Sequence, residues 1–262
     1  MKSTEIDNLI ANLGATLMKN GESFEDLAKQ QKGHVSIDDL PYYLTKLHNP
    51  PPVHPDIKQE ELGLGTWMAV CQYAIFELIY QLDVQALPTL KEIAYGKYDW
   101  TQATALEVLC RLYIDGKLGA DIISEIDSRL KGMRYETYLY FTRSLLKRKE
   151  RDERFNEIIT QLKDIVFRVT LAELGHQLPP MSRDELIELG KKIMAGTSEE
   201  DISDFKELFD ASVPHPDGSN LFYYPENFNA DTDNISDYNP TVEEVVDKCL
   251  NYKPNPNGNA AE

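Results

Sequence analysis

The amino-acid sequence predicts an all-α protein, and three observations point to this fold class. Apolar residues recur at intervals of three and four along most of the 262 residues, and this is the period of an amphipathic helix. The sequence has no comparable run in which apolar and polar residues alternate, as they do in a half-buried strand. Glycines and prolines fall between the helical segments, where they end one helix or begin the next.

The N-terminal part begins with an amphipathic helix that Ser3 can cap. Its apolar residues fall at i, i+3, i+4, i+7 and i+11, namely Ile6, Leu9, Ile10, Leu13 and Leu17. The proline-rich stretch HNPPPVHPD, residues 48–56, is expected to be extended. Beyond it, residues 64–82 are apolar on most faces and predict a deeply buried central helix.

Six further helices are predicted before residue 175. Their connectors are short and contain Gly96, Gly116 and Gly132, so neighbouring helices are expected to pack antiparallel. This succession weakly resembles HEAT-type repeats, in which pairs of helices stack side by side. The predicted ranges are 88–95, 100–114, 120–130, 135–149, 153–163 and 167–174.

Two side-chain types in this part have structural interpretations. Trp100 in the stretch YDWTQ follows Asp99, which can cap a helix, and is expected to pack in the core between helices. The three cysteines, Cys71, Cys110 and Cys249, are far apart and lack CxxC spacing. We therefore interpret them as buried apolar side chains, with neither a disulfide nor a zinc site.

The charge distribution bounds the choice of partner. The net charge is −17, and residues 180–262 contain 18 acidic but only 6 basic residues. Such a field repels nucleic acid and anionic membranes, and it speeds the encounter with a basic protein. The alternative is that the acidic residues only keep a helical protein soluble, so charge alone does not decide the function. The run KRKERDER, residues 147–154, has alternating signs, which favours a solvated helix face with ion pairs over an RNA-binding segment.

Motifs that carry catalysis are missing from the sequence. It contains no glycine-rich phosphate loop, no nucleophile elbow, and no HExxH or CxxC pattern. We therefore predict no enzymatic activity, no cofactor and no metal. Because the sequence has neither an N-terminal signal nor an apolar run long enough to cross a bilayer, a cytoplasmic protein without membrane association is expected.

A domain boundary is predicted in the stretch GHQLPPMSR, because Pro179 and Pro180 end a helix and the composition turns acidic beyond them. The predicted organisation is an N-terminal helical domain over residues 1–178, a small four-helix domain over 179–253, and a disordered tail over 254–262.

The small domain opens with two helices that have clear start signals. Ser182 and Glu185 form a capping box, and Gly196 is suited to end the first helix. Leu186, Leu189, Ile193 and Met194 are expected to line its inner face. Ser198 is expected to cap the second helix, whose inward-facing residues are Ile202, Phe205, Leu208 and Phe209.

The third and fourth helices of this domain differ in length. The turn sequence HPDGSN, in which His215 is interpreted as a structural residue, precedes LFYYP, and Pro225 limits this third helix to one or two turns. At least one of its two tyrosine rings should reach the surface. Before the last helix, Asn239 is expected to cap and Pro240 to occupy the first helical position. Its apolar face is formed by Val242, Val245, Val246, Cys249 and Leu250.

The stretch from MSRDELIELG through VPHPDGSNLFYYPENF to VEEVVDKCLNYK resembles the immunity proteins of nuclease bacteriocins, the colicin E and pyocin type. Helix order and loop sequence both contribute to this resemblance, which covers about 70 residues near the C-terminus. It implies a distorted four-helix domain in which the Tyr-Tyr turn is the shared centre of toxin binding. The implied partner is a basic nuclease domain, and the immunity protein would lie beside its active site.

The resemblance also implies which residues contact the toxin. Tyr223 and Tyr224 form the centre, and Ser219 and Asn220 belong to the turn that precedes them. The outer face of the second helix would set partner choice. It contributes Glu199, Ile202, Ser203, Lys206 and Asp210. Asn220 stands where the family usually has aspartate, and Lys206 departs from the usual acidic or apolar residue, so the identity of the partner does not follow from the family.

Three functions remain open at this stage. The first is an immunity protein that neutralises a basic nuclease toxin of a bacteriocin or contact-dependent system through an acidic surface around the Tyr-Tyr pair. The second is a HEAT-like scaffold whose N-terminal domain carries the main protein interaction. The third is an enzyme, which a deep N-terminal pocket lined by titratable groups would favour. The target of the toxin, DNA or RNA, is left open.

Overall fold

The computed structural model describes residues 2–19, 21–58, 62–63, 65–176, 180–196, 199–226, 228–229, 235–236 and 238–253. All regular structure in these ranges is helical, which confirms the all-α prediction. The chain divides into two compact units, Met1–Leu162 and Lys163–Glu262, which we call unit 1 and unit 2. No helix in the described ranges has the length and apolar character that a membrane span requires.

Unit 1 contains nine α-helices in the part of the chain that is described. The central one is α4, which packs against α1, α2, α3 and α6. The bounds are α1 Ser3–Lys19, α2 Gly21–Gln30, α3 Leu40–Lys46, α4 Thr66–Gln81, α5 Leu87–Tyr95, α6 Gln102–Ile114, α7 Asp121–Leu130, α8 Tyr135–Lys149 and α9 Phe155–Gln161. The sequence did not predict α2 and α3 as separate elements.

The prediction of a buried central helix is confirmed by α4. Its buried side chains include Cys71, Ile75, Phe76 and Ile79, which lie on several faces of the helix. All three cysteines of the chain are free and buried, as predicted. Burial raises the pKa of the Cys71 thiol to about 12, so this thiol stays protonated at neutral pH.

The prediction for Trp100 is wrong, because 63% of this residue is exposed. The local turn explains the outcome. Asp99 accepts hydrogen bonds from the Thr101 backbone nitrogen at 2.9 Å and from the Thr101 hydroxyl at 2.8 Å. Thr101 is thereby the residue drawn inward, with 3% exposed, and the preceding indole is left outside.

The run KRKERDER does form ion pairs, but several of them connect to residues on other helices that are distant in sequence. Arg148 donates to Glu107 on α6 at 2.6 Å and to Glu25 on α2 at 2.7 Å. Arg151 also donates to Glu25, at 3.0 Å. The solvated helix face expected from the alternating signs is therefore partly a junction between α2, α6 and α8.

Unit 2 contains α10 Ile165–Glu173, α11 Arg183–Ala195, α12 Glu199–Ser212, a 3-10 turn Gly218–Phe222 and α13 Val242–Leu250. The compact units divide after Leu162, whereas the predicted boundary lay at residue 178. The difference concerns α10, whose Ile165 and Val169 belong to the same hydrophobic core as α11 and α13. Arg168 on α10 also donates to Glu185 on α11 at 2.6 Å. Predicted tail residues 254–262 lie outside the described ranges.

The start and end signals of α11 agree with the structure. The Ser182 hydroxyl accepts from the Glu185 backbone nitrogen at 3.3 Å, and Glu185 in return accepts from the Ser182 nitrogen at 2.8 Å. This is the predicted capping box. Gly196 follows the last helical residue. The predicted cap Ser198 of α12 lies outside the described residues.

Three details of unit 2 differ from the sequence analysis, and one is Leu250, which was predicted on the apolar face of α13 but is 37% exposed. Met194 is 47% exposed, and Ile187 takes the predicted place in the core, because the inner face of α11 is rotated toward Ile187 and Gly190. The N-cap of α13 is Thr241 rather than Asn239, and Pro240 precedes the helix. Thr241 and Glu244 form a second capping box, whose two reciprocal bonds outweigh the preference of proline for the first helical position.

Candidate functional site

The turn between α12 and the 3-10 turn is built around a buried histidine. His215 is 4% exposed, and its Nδ1 accepts a hydrogen bond from the Asp217 backbone nitrogen at 3.1 Å. Its ring lies 4.5 Å from the ring of Tyr252. The interpretation of His215 as a structural part of the turn is therefore confirmed.

A glycine is required at the next corner of this turn. Gly218 has a φ of +42°, in the left-handed region that other residues rarely adopt. A Cβ atom at this position would also collide with the carboxylate of Asp210. Both the conformation and the close approach of Asp210 exclude a larger residue.

Asp210 fixes the turn to α12. Its carboxylate accepts from the Ser219 backbone nitrogen at 2.6 Å and from the Ser219 hydroxyl at 3.1 Å. Ser219 is 2% exposed, so its hydroxyl is used inside the unit. Both Ser219 and Asp210 were predicted to contact the toxin. The structure shows that Ser219 positions the turn and that Asp210 holds Ser219 in place, whether or not Asp210 also contacts a partner.

The 3-10 turn buries its apolar residues and ends at the tyrosine pair. Leu221 and Phe222 are buried, and the ring of Phe222 meets that of Phe209 edge-on at 5.0 Å. The backbone nitrogens of Tyr223 and Tyr224 both donate to the Asn220 carbonyl at 2.9 Å. The prediction of a very short third helix is thereby confirmed.

The two tyrosines lie in different surroundings. Tyr223 is half-buried, its hydroxyl donates to the Ile193 carbonyl at 3.4 Å, and burial raises its pKa. Tyr224 is 46% exposed and stacks on Phe228 with ring centroids 5.2 Å apart. At least one ring of the pair reaches the surface, as the sequence predicted.

The outer face of α12 joins the tyrosine pair at one place. The ammonium of Lys206 lies 4.5 Å from the centroid of the Tyr223 ring, a cation–π contact. Ser203 and Asn220 are exposed, while Ile202 is partly buried against the backbone of Gly196. Glu199 begins α12, but its side chain lies outside the described part of the chain.

The charges around the pair are mixed rather than uniformly acidic. Asp204, Glu207 and Asp210 are exposed on α12, whereas Lys206 sits against Tyr223. Glu226, two residues after Tyr224, accepts from Lys248 at 3.0 Å, and this bond lowers the pKa of Glu226. The surface next to the tyrosines thus offers carboxylates and two cations, of which Lys248 is paired with Glu226.

Sequence reasoning missed two residues that shape this surface. Phe228 supports the exposed ring of Tyr224. Tyr238 donates its hydroxyl to the Leu221 carbonyl at 2.7 Å and so braces the 3-10 turn. The only available signal was that both are aromatic residues in an otherwise polar, acidic loop.

Unit 1 contains a polar cleft with a volume of about 360 Å³. Many of its titratable groups already have partners. Lys117 pairs with Asp83 at 2.7 Å, and this bond lowers the pKa of Asp83. Arg111 and Tyr80 are also bonded, to Glu77 and Asp115 respectively. Groups held in this way suit a structural role better than acid–base catalysis. Within the described ranges, no group of three or more His, Cys, Asp or Glu residues could hold a metal ion.

Comparison with known proteins gives one family. Residues 180–254 match the model of the family described as colicin immunity protein / pyocin immunity protein. The match lies within unit 2 and leaves residues 1–179 outside it. No solved structure matches the chain. The family match supports bacteriocin immunity in general as the function of this part of the chain.

Proposed function

We propose that this protein is a cytoplasmic immunity protein whose unit 2 binds and neutralises the basic nuclease domain of a bacteriocin or contact-dependent toxin. The observation that carries the proposal is the half-exposed Tyr224, which stacks on Phe228 at the end of a turn that Asp210 holds in place. Tyrosine offers a large, rigid surface and a hydroxyl at a low cost in conformational entropy. A ring that is already positioned before binding loses little further freedom.

Charge supports the nuclease as the partner. Residues 180–262 contain 18 acidic and 6 basic residues, and a nuclease domain that binds a polyanion presents basic residues around its active site. Asp204 and Glu207 are exposed on α12, where they would attract such a partner and meet its cations at the rim. Binding beside the active site would then exclude nucleic acid by charge and by bulk.

Lys206 gives the partner one specific requirement. Its ammonium lies over the Tyr223 ring, next to the proposed centre of the interface. A basic residue of the toxin at this place would be repelled, and a carboxylate or a carbonyl group would be attracted. We therefore expect the cognate toxin to present an acidic or neutral acceptor opposite Lys206 within an otherwise basic surface.

The first test is whether a neighbouring reading frame encodes a basic nuclease domain, and that domain then serves as the partner in the binding experiments. In a nuclease inhibition assay and by calorimetry, Tyr224→Ala should weaken binding by about 2 kcal/mol or more, which is roughly a 30-fold loss of affinity. Tyr223→Phe keeps the half-buried ring and should have a smaller effect, since it removes only the hydroxyl. Tyr135→Ala is the matched control, because Tyr135 is 49% exposed but lies in unit 1.

Unchanged affinity in Tyr224→Ala would exclude the tyrosine pair as the binding centre. Circular dichroism checks that the variant is folded, and the exposure of Tyr224 makes this the expected result. If the Lys206→Ala and Lys206→Glu variants bind the nuclease as tightly as the parent protein, the toxin has no specific requirement at Lys206. The wider proposal would not be affected.

A second candidate function is a scaffold whose helical unit 1 carries the main protein interaction. The observation that favours it is the set of exposed aromatic residues in unit 1, which includes Trp100 and Tyr140. If the nuclease is inhibited equally well by Tyr224→Ala and by Tyr223→Ala, while Trp100→Ala abolishes inhibition, this second function replaces the first.

A further inference from the structure

Three aromatic rings form a continuous row in unit 1, in which Tyr98 is partly buried and the other two rings are exposed. The ring centroids of Tyr98 and Trp100 are 6.4 Å apart, and those of Trp100 and Tyr140 are 6.3 Å apart. Trp100 is 63% exposed and Tyr140 is 45% exposed. We call these three residues the aromatic surface. It connects the turn before α6 with the outer face of α8.

The chain holds this surface in place by specific contacts. The turn that points Trp100 outward is closed by the two bonds from Thr101 to Asp99. The guanidinium of Arg134 lies over the Tyr98 ring at 4.4 Å from its centroid. Tryptophan, tyrosine and arginine are the residues enriched in the energetic centres of protein interfaces, and a contiguous exposed apolar patch on a monomer often marks an interaction site.

The cations next to the aromatic surface are not used by the fold. Arg143 and Lys147 follow Tyr140 at i+3 and i+7 on α8, so the three residues share one face of the helix. Both cations are exposed, and among the described residues neither forms an ion pair. In contrast, Arg148, on another face of α8, is bonded to Glu25 and Glu107.

These observations together define the chemistry of an occupant. The rings offer stacking surfaces for aromatic or proline side chains, as in grooves that bind proline-rich peptides. Arg134, Arg143 and Lys147 offer three positive charges for carboxylates, against one exposed carboxylate, Glu136, which lies at i−4 from Tyr140 on the same helix face. A nucleic acid fits less well, because three cations are a small basic surface on a chain with a net charge of −17.

We propose that the aromatic surface binds an extended acidic segment of a partner protein, with aromatic or proline residues of that segment stacked on Trp100 and Tyr140. The carboxylates of the segment meet Arg134, Arg143 and Lys147. This interaction is separate from toxin binding by unit 2, and it requires a partner of opposite charge to the basic nuclease.

The test selects a random 12-residue peptide library on phage against the full-length protein, after depletion against the Trp100→Ala variant. The expected result is enrichment of peptides that combine Asp or Glu with Trp, Phe, Tyr or Pro. The best peptide is then synthesised with a fluorescent label, and its binding is followed by anisotropy at low and high salt. Higher salt should weaken binding, since part of the attraction is between exposed charges.

Matched variants separate this surface from the rest of α8. Trp100→Ala and Arg143→Glu should each weaken binding of the peptide at least tenfold. Tyr135→Ala and Lys149→Glu should leave it unchanged, because these residues lie on α8 at angles of about 140° and 180° from Tyr140, at 100° per residue. Circular dichroism of all four variants identifies any loss of folding.

Several outcomes would overturn the proposal. One is a selection without enrichment over the Trp100→Ala variant. A second is enrichment of basic peptides, and a third is tighter binding of a labelled oligo(dT) 15-mer than of the selected peptide. A Trp100-dependent dimer in analytical ultracentrifugation would assign the surface to a second copy of the chain and would equally overturn it.

Discussion

The two units use charge in different ways. In unit 1, Glu77 and Glu107 have side chains that are only 4% exposed, and they are joined to Arg111 and Arg148 between α4, α6 and α8. In unit 2, the pair Arg183–Asp247 has both side chains 47% exposed, and the core around Phe209 and Phe222 is apolar. Unit 1 thus joins helices through a network of buried charges. Unit 2 has one buried link of this kind among its described residues, Arg168–Glu185, and its other described ion pairs lie nearer the surface.

This difference separates what holds each unit together from what each unit can offer a partner. A buried charge is needed by the fold and is not available to a partner, because removing its counter-ion leaves an unpaired charge in a medium that solvates it poorly. An exposed carboxylate contributes little to the fold and remains available for a partner. Substitutions that remove charge should therefore destabilise unit 1, whereas unit 2, apart from its Arg168–Glu185 pair, should be sensitive mainly to changes in apolar packing.

The largest effect is expected for Arg111→Met. Arg111 donates to Glu77 at 2.9 Å, lies 3.8 Å from the Tyr80 ring centroid and approaches Glu107 at 3.8 Å. Nearby Glu107 and Glu77 raise the pKa of Arg111 against the effect of its burial, so the residue is charged in the folded protein. Its loss leaves Glu77 buried and unpaired, and we expect a loss of about 3–5 kcal/mol in the free energy of unfolding.

Urea denaturation followed by tryptophan fluorescence measures this effect in unit 1, because Trp67 and Trp100 are the only tryptophans of the chain. The double variant Arg111→Met/Glu77→Leu should recover most of the loss, since it removes both charges. Arg154→Met is the control, because Arg154 pairs with Asp152 at the surface and should change stability little. A similar loss in the double variant would refute the ion-pair explanation.

An intermediate effect is expected for Gly190→Ala in unit 2. A Cβ atom at Gly190 would lie 2.6 Å from Val242 and 2.8 Å from Phe222, so α11 approaches α13 and the 3-10 turn closely at this point. Overpacking costs about 1–3 kcal/mol, and the better helix propensity of alanine offsets up to about 1 kcal/mol. We expect a net loss of about 1–2 kcal/mol.

Amide hydrogen exchange of the full chain, followed by mass spectrometry, reports this loss for peptides of α11 and α13. Gly33→Ala is the matched control, because Gly33 has no atom within 4 Å of its Cβ position and the change should stay within about 0.5 kcal/mol. Unchanged or slower exchange in α11 of the Gly190→Ala variant would contradict this prediction. It would mean that α11 can move away from α13 and the 3-10 turn without a loss in the free energy of unfolding.

The sequence predicted those features that depend on neighbouring residues. The helical class followed from the apolar period, the capping box of α11 from Ser182 and Glu185, and the short third helix from Pro225. Trp100 shows where this reasoning ends. Asp99 does form a turn, but which side of that turn faces the core depends on the packing of Thr101, which sequence spacing does not contain.

The sequence named most residues of the proposed site, but it missed Phe228 and Tyr238 and did not show how the named residues contact one another. The resemblance to immunity proteins gave Tyr223, Tyr224 and Asp210 together. Two contacts could not be predicted because they depend on distances between α12 and the turn. Asp210 holds Ser219, and Lys206 covers the ring of Tyr223. The interhelical links of Arg148 were equally hidden, because its partner Glu25 is more than one hundred residues away in sequence.

The smallest effect is expected at the capping boxes of unit 2 in acid. Hydrogen bonds from the backbone and hydroxyl of Thr241 lower the pKa of Glu244. A carboxylate whose pKa is lowered by folding stabilises the fold above its usual pKa of about 4.3, and this contribution is lost as the pH falls through the folded value. The N-terminus of α13 should therefore lose protection from about pH 4 downward.

The variant Glu244→Gln turns this expectation into a comparison within one helix. Glutamine keeps an oxygen that can complete the capping box, but it does not titrate. NMR-detected exchange, corrected for the intrinsic rate at each pH, should show protection of the first turn of α13 falling from about pH 4 downward in the parent protein and staying level in the variant. If protection falls equally in the parent protein and in the variant, the acid response belongs to the whole of unit 2. Its surface carboxylates would then contribute more to its stability than the comparison with unit 1 predicts.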